Sequence, residues 1–334
     1  MKLVECVPNF SEAKNTATIE AISNTIRSID GVTLLDVDSG IDTNRTVMTF
    51  VGTPEKVSLA AFNAIKIASE LIDMSKHEGS HSRIGATDVC PFIPISEISI
   101  DECKVIAEKV ADQVGSELNI PVYLYERSAK FDERKNLANI RKGEYEGLKN
   151  KLKDPKWSPD YGPSKFNVRS GATVIGVRDF LIAYNINLNT KNTRIATDIA
   201  FEIREKGRSK RIPNPNSPIL LDGEIERNGD GTPKKIPGIF KDVKAVGWYV
   251  DEFKRAQISI NFNNYKKSTI HHVYDKVCDL AHERGVKVTG SELVGLIPLD
   301  AILMAGKYFL LKQRMTPGIP IKDIIEAAMQ GLGL

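Results

Sequence analysis

The sequence predicts an α/β protein made of two similar halves, with mixed sheets that carry helices on one or both faces. Three observations lead there. Strand-like and helix-like stretches alternate along the chain. The strand–helix pair at Arg45–Asp73 recurs in plan at Ala256–Arg284. The length, 334 residues, suits two ordinary domains.

The elements follow in order. The N-terminus reads as a first strand; it has no long apolar core and carries Glu5 early, unlike a signal peptide. Thr33–Val37 and Arg45–Gly52 are rich in β-favouring residues. Pro54 falls at a first helical position, and Val57, Ala60, Ala61, Ala64, Ala68 and Leu71 recur at helical spacing. Ser99 with Glu102 forms a capping box that opens a helix to about Leu118. Pro121–Tyr125 is a further strand, and Lys130 to Lys156 is a polar, irregular or helical surface segment.

The second half repeats this logic. Gly171–Val177 and Phe180–Asn187 are β-rich, and a helix runs from about Thr193 to Lys206. Ala256–Phe262 alternates as a strand, Ser268 caps a helix carrying Ile270, Val273, Val277 and Leu280, and Val286–Thr289 is the next strand. Between Gly207 and Phe240 lie five of the sixteen prolines and five glycines, so this stretch reads as a solvated surface insertion. Its Arg208, Lys210 and Arg211 read as a solvated face.

Composition excludes several classes. Forty-six basic against 43 acidic side chains leave +3, too small an excess to suggest a nucleic-acid partner. No apolar run approaches the ~18 residues of a membrane span. Cys6, Cys90, Cys103 and Cys278 are scattered without ligand spacing and read as reduced thiols of a cytoplasmic protein.

Three polar segments are candidates for chemistry. His77-Glu78-Gly79-Ser80-His81 formally matches H-E-x-x-H, in which a helix aims two imidazoles at zinc. Gly79, Ser80, Ser82 and Gly85 oppose a helix here, and no apolar stripe would bury one, so no metal is expected. A histidine in such a loop suits a general base, while hydrogen bonding within the loop explains it equally well. Asp36–Arg45 reads as a strand end running into an Asx-rich loop, where Asp38 suits a histidine and Arg45 a carboxylate. Tyr161–Thr173 offers Gly, Pro, an aromatic and two cations, which suits a flat heterocycle or an anionic tail. It is no phosphate loop, because neither GxxxxGK[ST] nor GxGxxG occurs. His271 and His272 sit in an apolar-patterned helix, one at the core boundary and one in solvent; His282 reads as exposed.

Taken together, Leu3–Ser11, Leu34–Gly52, Leu71–Ile95, Pro121–Tyr125, Tyr161–Gly171, Gly247–Glu252 and Gly290–Pro298 carry a resemblance that spans nearly the whole chain in order. The chain resembles the formiminotransferase domain family, the folate-dependent glutamate formimidoyltransferases of histidine breakdown, in a stand-alone form without the cyclodeaminase. The resemblance implies two subdomains, 1–178 and 179–334, with ferredoxin-like βαβ elements and helices on the outer faces of mixed sheets. The second subdomain holds the 207–240 insertion. It implies transfer of the formimino group of N-formimino-L-glutamate to N5 of tetrahydrofolate, with tetrahydrofolate as co-substrate and no metal. The family's catalytic histidine falls on His81, and Asp38 is expected to orient it or stabilise its charged form. The folate-binding stretch falls on Gly162, Pro163, Ser164, Lys165, Phe166, Asn167, Val168, Arg169, Ser170 and Gly171. Charge complementarity makes Arg45 and Arg83 candidates for the two glutamate carboxylates, and Lys165 or Arg169 for the folate tail. A polyglutamylated folate, a homodimer, and the absence of nucleic-acid or membrane partners complete the expectation. No residue separates a formimino from a formyl donor, 5-formyltetrahydrofolate with glutamate; a non-catalytic folate-binding protein is the other alternative.

Overall fold

The computed structural model describes residues 1–313 and 320–334. The chain forms two compact units, Met1–Asp179 and Phe180–Leu334.

Unit 1 begins with β1 (Leu3–Cys6), β2 (Asn9–Phe10), α1 (Thr16–Arg27), β3 (Val32–Gly40), β4 (Arg45–Gly52), α2 (Pro54–Leu71) and β5 (Thr87–Ser96). The short β1 and β2 act as one strand interrupted at Val7 and Pro8; both pair antiparallel with β4 on one side and β5 on the other. With β3 on the free edge of β4, this is a βαββαβ unit in the ferredoxin-like order. α3 (Ile100–Glu117), β6 (Val122–Glu126), α4 (Leu137–Arg141), α5 (Glu144–Lys151) and β7 (Thr173–Val177) then extend the sheet, in parallel pairing, as β5–β7–β6.

Local chemistry explains the helices. Pro54 occupies the first turn of α2, and the small Ala60, Ala61, Ala64 and Ala68 are buried with Val57 and Ile65. The capping box at Ser99 and Glu102 is formed, with the Ser99 hydroxyl accepting from the Glu102 amide at 3.2 Å. Alternation along β6 sends Val122 and Leu124 to the core beneath α2 and α3, and Tyr123 and Tyr125 to the opposite face. That second face is covered by Ile140 of α4 and Leu148 of α5. The 130–156 segment is therefore a packing layer rather than only a surface stretch; its Lys content hides two well-spaced anchors.

Unit 2 repeats the plan with β8 (Ile182–Leu188), α6 (Thr193–Ile203), an arm, then β13 (Val243–Val250), β14 (Arg255–Phe262), α7 (Ile270–Glu283) and β15 (Val288–Val294). The antiparallel order β13–β14–β8–β15 is again βαββαβ. α8 (Leu299–Lys312) and α9 (Ile321–Leu332) pack into the same core. Two expectations are corrected. Ser268 does not cap α7; Thr269 holds the cap position, and the Ser268 hydroxyl donates to Lys241 O at 2.6 Å. The last strand starts at Val288, not Val286, and runs on to Val294.

The 207–240 arm is built of short ladders: β9 (Arg208–Ser209) pairs with β12 (Lys235–Ile236), and β10 (Arg211–Ile212) with β11 (Glu224–Ile225). Its tip, Asn228–Thr232, is closed by the Asn228 amide donating to Thr232 O at 2.8 Å. Arg208 is not solvated as expected. It is buried, with Nη1 2.8 Å from Asp198 of α6, and it also pairs with Glu202. Arg284 reaches the same Asp198 carboxylate at 2.6 Å, and the amides of Leu220 and Leu221 donate to it at 3.3 and 2.9 Å. Five donors from three separate segments thus converge on one carboxylate that is fully buried.

Candidate active site

The candidate site lies in unit 1, where the loop after α2 crosses the ends of β2, β4 and β5. His77 to Ser82 form no helix, so the two imidazoles do not share a helical face as a zinc H-E-x-x-H motif requires. Each histidine has a different task. His77 Nε2–H donates to Asn44 O at 3.0 Å, while its Nδ1 accepts from Arg83 Nε at 3.2 Å. Both ring nitrogens are occupied by the loop's own framework. His81 Nδ1–H donates to Ser82 O at 2.8 Å, which leaves Nε2 as the lone-pair nitrogen; it accepts from Arg45 Nη1 at 3.1 Å. Arg45 Nη1 also donates to Asn9 Oδ1 at 2.9 Å. Asn9 belongs to the N-terminal motif and escaped notice as a site residue.

Arg83 does not offer a free fork for a substrate carboxylate. Its five N–H groups go to His77 Nδ1, His77 O, Glu144 and both oxygens of Glu146. The guanidinium is therefore a brace between the histidine loop and α5. Asp38 lies in β3 rather than in a loop, and its charge is felt at Arg45. The group that fixes the His81 ring is the Ser82 carbonyl. Two charged residues to which the sequence assigned no role complete the set. Asp88, fully buried at the start of β5, accepts the Ile84 amide at 2.9 Å, and Arg141 at the end of α4 pairs with it. They are 53 residues apart, so no local pattern announced them.

The electrostatics follow from this crowd. Burial, then Arg45 and Arg141, push the His81 imidazole down to about 3; Asp88 and the Ser82 carbonyl offset only part of this. Arg45 is itself lowered to about 10 by burial and Arg141, with Asp88 and Asp38 opposing. His81 is thus a neutral base at any physiological pH, poorly disposed to keep a proton. A stability consequence follows. Between about 6.5 and 3 the unfolded chain's imidazole takes up a proton that the folded one refuses, so stability falls as pH drops through that window. His271, lowered to about 4 by burial, adds to the same slope. The thermal midpoint is expected to fall between pH 7 and 5, and His81→Asn to flatten that fall; an identical slope in the variant would contradict the assignment.

The Gly162–Gly171 stretch is locked to the histidine loop by backbone. Gly85 and Gly171 form a bridge, the Ala172 amide donates to Ile84 O at 3.0 Å, and the Met74 amide donates to Arg169 O at 2.8 Å. Ring contact between Phe166 and Tyr145 (5.3 Å) and the Tyr145 hydroxyl bond to Val168 O anchor the middle. Ser164, Lys165, Val168 and Arg169 are left exposed, and Arg169 Nη2 donates one hydrogen bond to Glu70 O. Gly171 has φ +67, and a Cβ there would sit 2.1 Å from Ile84 O. Gly171→Ala is expected to cost at least about 1–2 kcal/mol from the left-handed backbone alone. Gly229→Ala, where a Cβ meets nothing within 4 Å, is the control that leaves the urea midpoint in place.

A groove of about 670 Å³ opens nearby, bordered by Glu12, Asn44, Asp73, Lys76, His77 and Glu78. It touches His77 rather than His81 or Arg45.

A neutral imidazole set among guanidiniums lies on the first of two units that share the βαββαβ plan. The chain belongs to the formiminotransferase domain family: the model of the formiminotransferase domain's N-terminal subdomain matches residues 3–178, and that of the formiminotransferase domain matches 183–334. It is 46% identical over 315 residues to the formimidoyltransferase-cyclodeaminase of Dictyostelium discoideum, covering 94% of this chain and 54% of that protein. The chain thus spans about half the length of that bifunctional relative. It is also 41% identical to the glutamate formimidoyltransferases of Streptococcus pyogenes serotype M1 and Thermoplasma acidophilum. Those matches cover 92% and 99% of this chain, and 93% and 98% of theirs.

Proposed function

We propose that this chain transfers the formimino group of N-formimino-L-glutamate to N5 of tetrahydrofolate, releasing L-glutamate. The observation that carries the reading is the neutral His81, its Nε2 lone pair aimed at Arg45, within a chain matched along nearly its whole length by formimidoyltransferases. N5 attacks the amidine carbon, and His81 accepts the N5 proton as the new C–N bond forms. The tetrahedral intermediate collapses by breaking the bond to glutamate, whose departing nitrogen takes the proton back from His81. Arg45 receives a donor carboxylate, and Asp38, acting across Arg45, steadies the transient imidazolium. The Gly162–Gly171 stretch holds the folate, with exposed Lys165 toward an anionic, polyglutamylated tail. In this proposal subdomain 1–178 supplies the proton chemistry and 179–334 completes the transferase.

Buried free thiols at Cys6, Cys90 and Cys103 support a reducing, cytoplasmic setting. The proposed working form is a homodimer, to be checked by light scattering. Among the described residues no helix is long and apolar enough to cross a membrane. The deciding experiment is a turnover assay with tetrahydrofolate and N-formimino-L-glutamate beside 5-formyltetrahydrofolate and glutamate. Formation of 5-formiminotetrahydrofolate is expected. Turnover only with the formyl compound, or folate binding without turnover, would overturn the reading.

A further inference from the structure

We propose that Arg141 is a substrate-recognition residue which, together with Arg45, receives a carboxylate of the donor beside His81. The inference rests on the transfer reaction proposed above. Arg141 ends α4, and its guanidinium is held by Asp88, a carboxylate with no solvent exposure that is itself fixed by the Ile84 amide. Yet its Nε–H is sealed from solvent and has no partner. A buried donor left unpaired is uncommon and needs a reason. The second observation concerns Arg45, whose Nη1 is shared between Asn9 Oδ1 and the His81 ring. Arg141 opposes the Arg45 charge more strongly than Asp88 or Asp38 supports it. Two guanidiniums therefore press on each other and on one imidazole in a desolvated corner. The neighbouring Arg83 adds little, being matched by Glu144 and Glu146. A carboxylate is the group that takes guanidinium N–H pairs in its own plane.

The arrangement gives the donor a second role. Without the donor, the groups facing His81 (Arg45, Arg141 and Asp88) leave the imidazole neutral and a weak base. With a carboxylate seated, the local positive field is cancelled, and the imidazolium survives long enough to protonate the departing glutamate nitrogen. Proton uptake and proton return are thereby tied to an acidic donor. A neutral amidine of the same size would lack that trigger.

The test is Arg141→Lys, which keeps a cation opposite Asp88 and removes the Nε–H and the planar fork. Donor KM and the Kd of L-glutamate are expected to rise at least tenfold, with tetrahydrofolate KM within twofold. In the wild-type protein, saturating L-glutamate is expected to move the His81 ring titration upward by a unit or more in NMR, and the variant to lose that movement. Donor KM and glutamate Kd both within twofold of wild type would overturn the proposal while leaving the transfer reaction standing. If wild type fails to turn over formiminoglutamate but L-glutamate still moves His81 through Arg141, the reaction falls and the anion site survives. Should the variant not fold, the wild-type titration alone decides: no upward movement with glutamate refutes the site.

Discussion

His81→Ala is expected to lower turnover by about 10²–10⁴-fold, the usual worth of one positioned acid–base group. Folate binding should change little, because the backbone ties of the Gly162–Gly171 stretch run through Gly85, Ala86 and Ile84 and not through the imidazole. The split between kcat and binding is the informative readout. A variant that lost folate affinity to the same degree as kcat would show a structural imidazole instead. His77→Ala is the contrasting case: both of its nitrogens serve the loop, so that change should lower stability and activity together.

The largest expected effect on stability lies far from this chemistry. Asp198→Ala removes the one carboxylate on which Arg208, Arg284 and the Leu220 and Leu221 amides converge. Breaking a buried pair from one side costs about 3–5 kcal/mol, because the opposite charge stays behind unmatched. Glu202 remains as a partial substitute, as it touches both arginines and is more accessible. For a unit of this size the loss corresponds to about 6–20 °C in thermal midpoint. Limited proteolysis should then open the arm first, since Arg208 and Leu220–Leu221 are where it is fastened. A variant with an unshifted midpoint and an arm still resistant would mean that short ladders alone hold it.

These two residues mark what the sequence does and does not disclose. Features written within one turn or one strand were legible: Pro54 at its helix start, the Ser99–Glu102 box, the alternation of β14, and the helical stripe of α7. The strand read as ending at Val37 runs on to Gly40; Asp38 to Gly40 looked like a loop because they are polar, but β3 is an edge strand, where half-exposed polar residues are the rule. The 130–156 segment looked superficial because its lysines outnumber the anchors Ile140 and Leu148. Arg208 looked solvated because its partners, Asp198 and Glu202, belong to the preceding helix α6, and only the fold of the arm turns Arg208 back onto them. In the site, His81 and Arg45 were recognisable as residue types in polar loops. Arg83's neutralisation by Glu144 and Glu146, the Ser82 carbonyl under His81, and the Asp88–Arg141 pair depend on tertiary placement. Charged residues advertise themselves in a sequence; whether they are already spent does not.

The arm described above also has a practical side. Its root is clamped at Asp198, whereas at Gly229 and Gly231 an added Cβ would meet no neighbour within 4 Å. Small, exposed loop tips of this kind accept inserted chain with little penalty. An affinity tag or a fluorescent reporter grafted between Asn228 and Thr232 would therefore leave the sheet of its own unit undisturbed, giving a handle for immobilising the protein without blocking either terminus.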